Sequence, residues 1–173
     1  MSIPLLTWCP LTVNHIPSLT LISARIHPTL PERPAIFAER IALFPSGCFA
    51  LVNTSTNELC GYAISHPIRY RQPPALDSFL GEIPDDADMY YIHDVAILPE
   101  FQGQGYAKTC VEMIAEAARR FDVTGLVSMY GTAGFWGRFG FKGGIGDEKL
   151  REKMVEYGEG AVWLEKRNEG WEG

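Results

Sequence analysis

The stretch Gln102-Gly103-Gln104-Gly105-Tyr106-Ala107 constrains this chain more than any other. It follows an apolar run, Tyr90-Tyr91-Ile92-His93-Asp94-Val95-Ala96-Ile97-Leu98, that reads as a buried strand. It opens a segment whose apolar residues, Ala107, Val111, Ile114, Ala118 and Phe121, recur at helical spacing, with Lys108, Glu112, Glu116 and Arg119 off that stripe. A strand, a turn of small residues and a helix start make an anion cradle. Gly103 and Gly105 let the backbone come close to a ligand. The first unpaired N–H groups of the helix then point at it, with the positive end of the helix dipole behind them.

Two kinds of cradle are excluded by the residues present. A P-loop ends in Gly-Lys-Ser/Thr, and here the residues are Gly105-Tyr106-Ala107. A dinucleotide turn needs a third small residue where Lys108 stands, and no acidic residue falls at a strand end about 20 positions on. The pattern Gln/Arg-x-x-Gly-x-Gly/Ala is met at every position from Gln102 to Ala107. In that hexapeptide the chain resembles the GNAT (Gcn5-related) N-acetyltransferase superfamily. A second segment resembles it too: Leu126 to Tyr130 reads as a strand, Gly131 to Gly134 as a loop, and Phe135-Trp136-Gly137-Arg138-Phe139-Gly140-Phe141 as an aromatic helix with a Gly-Phe exit into a further strand.

The rest of the chain is consistent with one domain over residues 1–173 and a core from about 5 to 166. Its 173 residues suffice for one hydrophobic core and not for two ordinary ones. Leu5 to Leu11 reads as a strand. Asn14 is expected to cap a helix to about Ile26, ended by His27-Pro28, and Arg33 to Phe44 reads as a second helix. Cys48 to Asn53 and Leu59 to Ser65 form a hairpin across a polar turn. A long irregular segment, 66–88, precedes the cradle strand, Asp147 to Tyr157 reads as helical, and Ala161 to Lys166 as a last strand. The order fits an α/β (α+β) GNAT fold, a mixed six- to seven-stranded sheet with helices on both faces.

No apolar run approaches the roughly 20 residues of a membrane span. The start, Met1-Ser2-Ile3-Pro4, has no leader character, and Cys9, Cys48, Cys60 and Cys110 show no metal-ligand spacing, so a cytoplasmic protein with reduced thiols and no metal is expected. The net charge of −6 argues against nucleic acid and favours a cationic small molecule.

The resemblance implies acetyl transfer from acetyl-CoA to a primary amine. It places the coenzyme on Gln102, Gly103, Gln104, Gly105, Tyr106 and Ala107, with its arm along the backbone of Val95, Ala96 and Ile97 and with Phe135 and Trp136 as a channel wall. One N–H, of Val95 or Ala96, would meet the thioester oxygen. His93 is the candidate base, since an imidazole titrates near neutrality. With Tyr91 two residues before it on one strand face, it resembles the serotonin/arylalkylamine N-acetyltransferase branch, where two histidines flank that position. Core packing competes for His93, as it does for Trp136. Many relatives carry a Tyr where Trp136 stands, and an indole N–H is no acid. Tyr130, with Tyr106 second, is therefore the candidate donor to the thiolate, unless the thiolate leaves unaided.

Asp94 sits in an otherwise apolar strand, so it is either paired or at the end of a pocket. It points away from His93 unless a bulge intervenes. Asp77, Glu82, Asp85, Asp86 and Asp88, with Asp94, are candidates to attract an ammonium group, and Phe79 and Tyr90 to hold the body of the amine. Solvated loop acids are the plain alternative, and Arg69 and Arg71 would suit an acidic substrate instead. Beside an arylalkylamine or other hydrophobic amine stand a polyamine, a protein lysine or N-terminus, and a non-catalytic acyl-CoA sensor.

Overall fold

Strands buried along most of their length, β3 throughout, build one six-stranded sheet in a computed structural model that describes residues 3–144 and 146–169. Met1 and Ser2, part of the start expected to lack leader character, lie outside the described residues, as does the extreme C-terminus. The strands are β1 (Leu6–Pro10), β2 (Cys48–Asn53), β3 (Leu59–Ile68), β4 (Met89–Ile97), β5 (Val123–Ser128) and β6 (Val162–Arg167). They lie side by side in sequence order, every pair antiparallel except β4 and β5. A parallel pair needs a crossover, and α3 (Tyr106–Ala117) supplies it.

Two helices, α1 (Ile16–Ile26) and α2 (Pro34–Leu43), cover one face. Their Leu19, Ile22, Phe37 and Ile41 pack on Tyr62, Ile64 and Ala96 of the sheet. On the other face Val111 and Ile114 of α3 and Trp136 of α4 (Ala133–Gly137) pack on Ala63, Tyr90, Ile92 and Leu126. Each large apolar side chain so buried contributes about 1.5–3 kcal/mol. A third cluster joins Leu150 and Met154 of α5 (Glu148–Glu156) to Tyr91 and Trp163.

Several expected boundaries shift for identifiable reasons. Asn14 does not cap α1: a 3-10 turn, Val13–His15, precedes the helix, and the Thr12 N–H donates to His15 Nδ1 at 3.0 Å. Strand β3 runs on through Pro67 to Ile68. Pairing with β2 ends at Ile64, so Pro67 sits on a free edge, where its missing N–H breaks no ladder. The irregular segment is accordingly 69–88. Strand β5 stops at Ser128, leaving Tyr130 outside it. Among the described residues no seventh strand starts at Phe141; Lys142 makes an isolated bridge to Glu165.

Candidate active site

Strands β4 and β5 pair at only three positions, Tyr90 with Thr124, Tyr91 with Gly125 and Ile92 with Leu126. Beyond Ile92 they part, and the sheet opens into a fork. At the fork β4 carries an extra residue: Ile64 pairs with Asp94 and Ser65 with Ile92, so His93 is the bulge. The bulge puts His93 and Asp94 on the same face, toward α1 and its following loop, where each meets a partner.

Past the bulge, the backbone alternates. The Leu98 N–H donates to Cys60 O at 3.0 Å, which turns Leu98, Ala96 and Asp94 toward β3. Val95 and Ile97 therefore turn their N–H and C=O groups toward the fork. The Ile97 carbonyl accepts from Gln102 Nε2 at 2.8 Å, so Gln102 ties the strand end to the turn. Ala96, expected as an alternative oxyanion donor, is excluded because its backbone faces β3.

The turn ends in an open cradle. Gly103 and Gly105 have φ of +75° and +86°, where a side chain is strained, and nothing lies within 4 Å of where a Cβ would sit on either. Gly105 is the cap of α3 and no side chain satisfies that end; the first N–H with a helical partner is that of Thr109, to Gly105 O. The N–H groups of Tyr106, Ala107 and Lys108 thus face the concavity. Trp8 Nε1 donates to Tyr106 O at 3.0 Å and pins the helix start to β1. Open glycines, unpaired donors and a helix dipole are what a pyrophosphate requires.

Two histidine–carboxylate pairs flank the fork. His93 Nε2 meets Glu32 Oε1 at 2.8 Å, with side chains 2% and 6% exposed. His27, the C-cap of α1, places Nε2 2.9 Å from Asp94 Oδ1. Tyr62 donates to the other Asp94 oxygen at 2.6 Å, and Tyr130 Oη lies 3.1 Å from His27 Nδ1. Burial opposes charge on His27, but the hydrogen bond and charge of Asp94, with Glu32 beyond, outweigh it and raise its pKa. For Glu32 burial likewise opposes the charge, and His93, the Asp77 N–H and Arg40 reverse the balance to lower its pKa.

The expected residues divide accordingly. The His93 side chain is almost fully enclosed and Tyr91 is buried; Tyr91 stacks on Trp163 and its phenol is held neutral by burial. The His93 ring is enclosed and its Nε2 is committed to Glu32. Asp94 is paired. Asp86 is bound to Arg69 at 2.9 Å and Asp88 accepts from the Tyr70 N–H, at the base of the β3–β4 hairpin. Five residues of β4, Met89 to His93, separate Asp88 from Asp94, at about 3.3 Å for each extended residue. Asp85 is exposed in the same turn as Asp86. Arg71 is committed to Glu165. Phe79 is exposed under Arg33, on the segment that Glu32 and Glu39 hold through the Asp77, Leu80 and Gly81 N–H groups. Trp136 is in the core, edge-on to Phe141 and to Phe135, and no proton donor. Tyr106 packs partly buried against Leu6 and Ile97. All four cysteines are free, and burial raises Cys48 and Cys110 to about 12, so neither is a nucleophile. Sequence reasoning missed His27, Glu32 and Tyr62. His27 stands beside Pro28 like any helix stop, and its partner is 67 residues away.

The model of the acetyltransferase (GNAT) family matches residues 16–141, most of the chain and all of this site. The chain belongs to the GNAT family. No curated protein sequence matches it. Among solved structures this GNAT chain is similar to the loading GNATL domain of CurA from Lyngbya majuscula, with a TM-score of 0.73 at 15% identity over 94% of this chain and 98% of that one. It is similar to Ard1 from Thermoplasma volcanium, with a TM-score of 0.68 at 11% identity over 94% and 97%. It is also similar to N-acetylglutamate synthase from Neisseria gonorrhoeae, complexed with coenzyme A and N-acetyl-glutamate, with a TM-score of 0.66 at 16% identity over 96% of this chain and 36% of that one. At such identities these likenesses concern the fold. Among the described residues, no group of three or more His, Cys, Asp or Glu could hold a metal, and no helix is long and apolar enough to cross a membrane.

Proposed function

We propose that the protein transfers an acetyl group from acetyl-CoA to a primary amine, an arylalkylamine or another amine with an apolar body. The fork beside the open cradle carries this reading. The N–H groups of Tyr106 to Lys108 and the two glycines would hold the pyrophosphate. The Val95 and Ile97 backbone would take the pantetheine arm as an added strand. The thioester supplies an activated acyl carbon, and the Val95 N–H is the donor for the oxygen on which negative charge develops. The amine would approach from the α1 side, where Asp94 and Glu32 favour an ammonium head and Tyr130 and Phe79 offer aromatic surface.

The test is a panel of aryl, alkyl, poly- and peptidyl amines with acetyl-CoA, reading free thiol and the mass of the acylated product. Hydrophobic monoamines should rank first. Preference for polyamines or for a peptide would replace the acceptor class and keep the reaction. Binding of acetyl-CoA with no acylated product from any amine would favour the sensor.

A further inference from the structure

We infer that Tyr130, His27 and Asp94 form one proton relay that serves both the attack of the amine and the departure of the thiolate, an inference that rests on the acyl-transfer reading. Donor inventory fixes the direction of each link. Asp94 accepts on both oxygens, from Tyr62 Oη at 2.6 Å and from His27 Nε2 at 2.9 Å. A neutral imidazole whose Nε2 donates has a bare Nδ1, so Tyr130 donates to it across 3.1 Å. No group in the series is left with two donors or two acceptors facing each other.

The outer end is the only part that meets solvent freely. Tyr130 is 58% exposed, whereas the side chains of His27 and Asp94 are 12% and 10% exposed. The relay also bridges the fork. Asp94 lies on β4 next to Val95, and Tyr130 follows the end of β5. Tyr130 has φ of +56°, a conformation that is strained for an aromatic residue, and its ring stacks on His27 at 5.6 Å. Such strain persists only where surrounding contacts hold it, and it collects at functional sites. The other pair, His93 with Glu32, has no exposed hydroxyl among its described hydrogen bonds.

The protons balance. The ammonium form of the acceptor first sheds one proton to water. As the neutral amine forms its C–N bond, its N–H proton passes to Tyr130 Oη, and the phenol's own proton passes to His27 Nδ1. Asp94 holds the imidazolium. When the C–S bond breaks, the electron pair leaves on sulfur, and the proton returns from His27 through Tyr130 to the thiolate. Amine and thioester become amide and thiol, and the relay is restored. Trp136 then needs no acid role. Tyr130 touches the reacting atoms, His27 stores the proton, and Asp94 positions His27.

The groups facing His27 are Asp94 from β4, Glu32 from the loop after α1 and Tyr130 from the loop after β5. Burial and the charge of Asp94 raise Tyr130, which keeps the phenol protonated near neutrality, while a hydrogen bond with Thr29 acts the other way. The experiment is kcat/KM against pH for the native protein, Tyr130→Phe and His27→Gln, with acetyl-CoA affinity measured alongside. Native kcat/KM should fall on an acidic limb above the ordinary imidazole value near 6.5. Both variants should bind acetyl-CoA as the native protein does and lose about 10²-fold or more in kcat. His27→Gln should lose the acidic limb. Tyr130→Phe removes only an exposed hydroxyl, so it keeps the fold. Native turnover retained within twofold in both variants, or an acidic limb that survives His27→Gln, overturns the relay alone. No acylation of any amine by the native protein overturns the transfer reading and the relay with it.

Discussion

His66 shows how one enclosed side chain sets a pH limit on the fold. Its Nδ1 lies 3.0 Å from Pro67 O, and burial, ahead of nearby His93 and Arg40, drives its pKa down to about 3. The unfolded chain binds a proton near pH 6.5 that the folded chain refuses until about pH 3, so stability falls as pH drops through that window. The slope from one such group is about 1.4 kcal/mol per pH unit. Urea midpoints at pH 7 and pH 5 should separate in the native protein and draw together in His66→Gln; an equal separation in both would assign the acid sensitivity elsewhere. A second enclosed charge is Glu165, which accepts from Arg71 Nε and from Trp163 Nε1 at 2.8 Å. Arg71→Ala should cost about 1.5–3 kcal/mol in urea unfolding, as loss of a charged hydrogen bond does. A variant as stable as the native chain would show the pair to be balanced by its desolvation. Neither partnership is legible in the sequence, where Arg71 reads as a loop cation free to meet a substrate. The same holds for His27: helix punctuation explains its position and hides its chemistry.

Elements were legible where a local rule decides them and illegible where a neighbour does. Gly103 and Gly105 announce a turn because their backbone conformation excludes other residues, and α3 follows from its apolar spacing. The bulge at His93 could not be read from β4, since it exists only relative to the register of β3. That bulge decides which carboxylate reaches which histidine, which is why the fold was legible and the proton chemistry was not. The extension of β3 through Pro67 has the same cause: β2 ends early, and only then is a strand proline tolerated. One turn between elements offers a sharp test. A Cβ on Gly47 would lie 2.2 Å from Ser65 O and 2.6 Å from Tyr90 Oη, while Ser65 Oγ donates to Gly47 O at 2.8 Å. The turn after α2 is thus pressed against β3, and Gly47→Ala should cost about 1–3 kcal/mol through overpacking. A thermal midpoint unchanged from the native value would mean that β3 and the turn separate without cost.

On the scale of the whole molecule, one sheet does two jobs. Its continuous half, β1 to β4, anchors the core, and beyond Ile92 its other half parts, with β4 no longer paired to β5. The chain carries a net charge of −6, which favours a cationic acceptor and opposes an anionic coenzyme. Salt screens both effects beyond a Debye length of about 8 Å. Amine KM should therefore rise with ionic strength, and the affinity for acetyl-CoA should hold or improve; the reverse pattern would place the governing charges in a local basic patch. In the proposed reaction the fork and its glycine cradle are an acyl-CoA site. The most direct measurement is calorimetric titration of acetyl-CoA into the native protein and into Gly105→Glu, which sets a carboxylate and a disfavoured backbone against the phosphates. Saturable one-to-one binding by the native protein and its loss in the variant, with the thermal midpoint retained, is the predicted result. Absence of binding by the native protein, or equal binding by both, would contradict it.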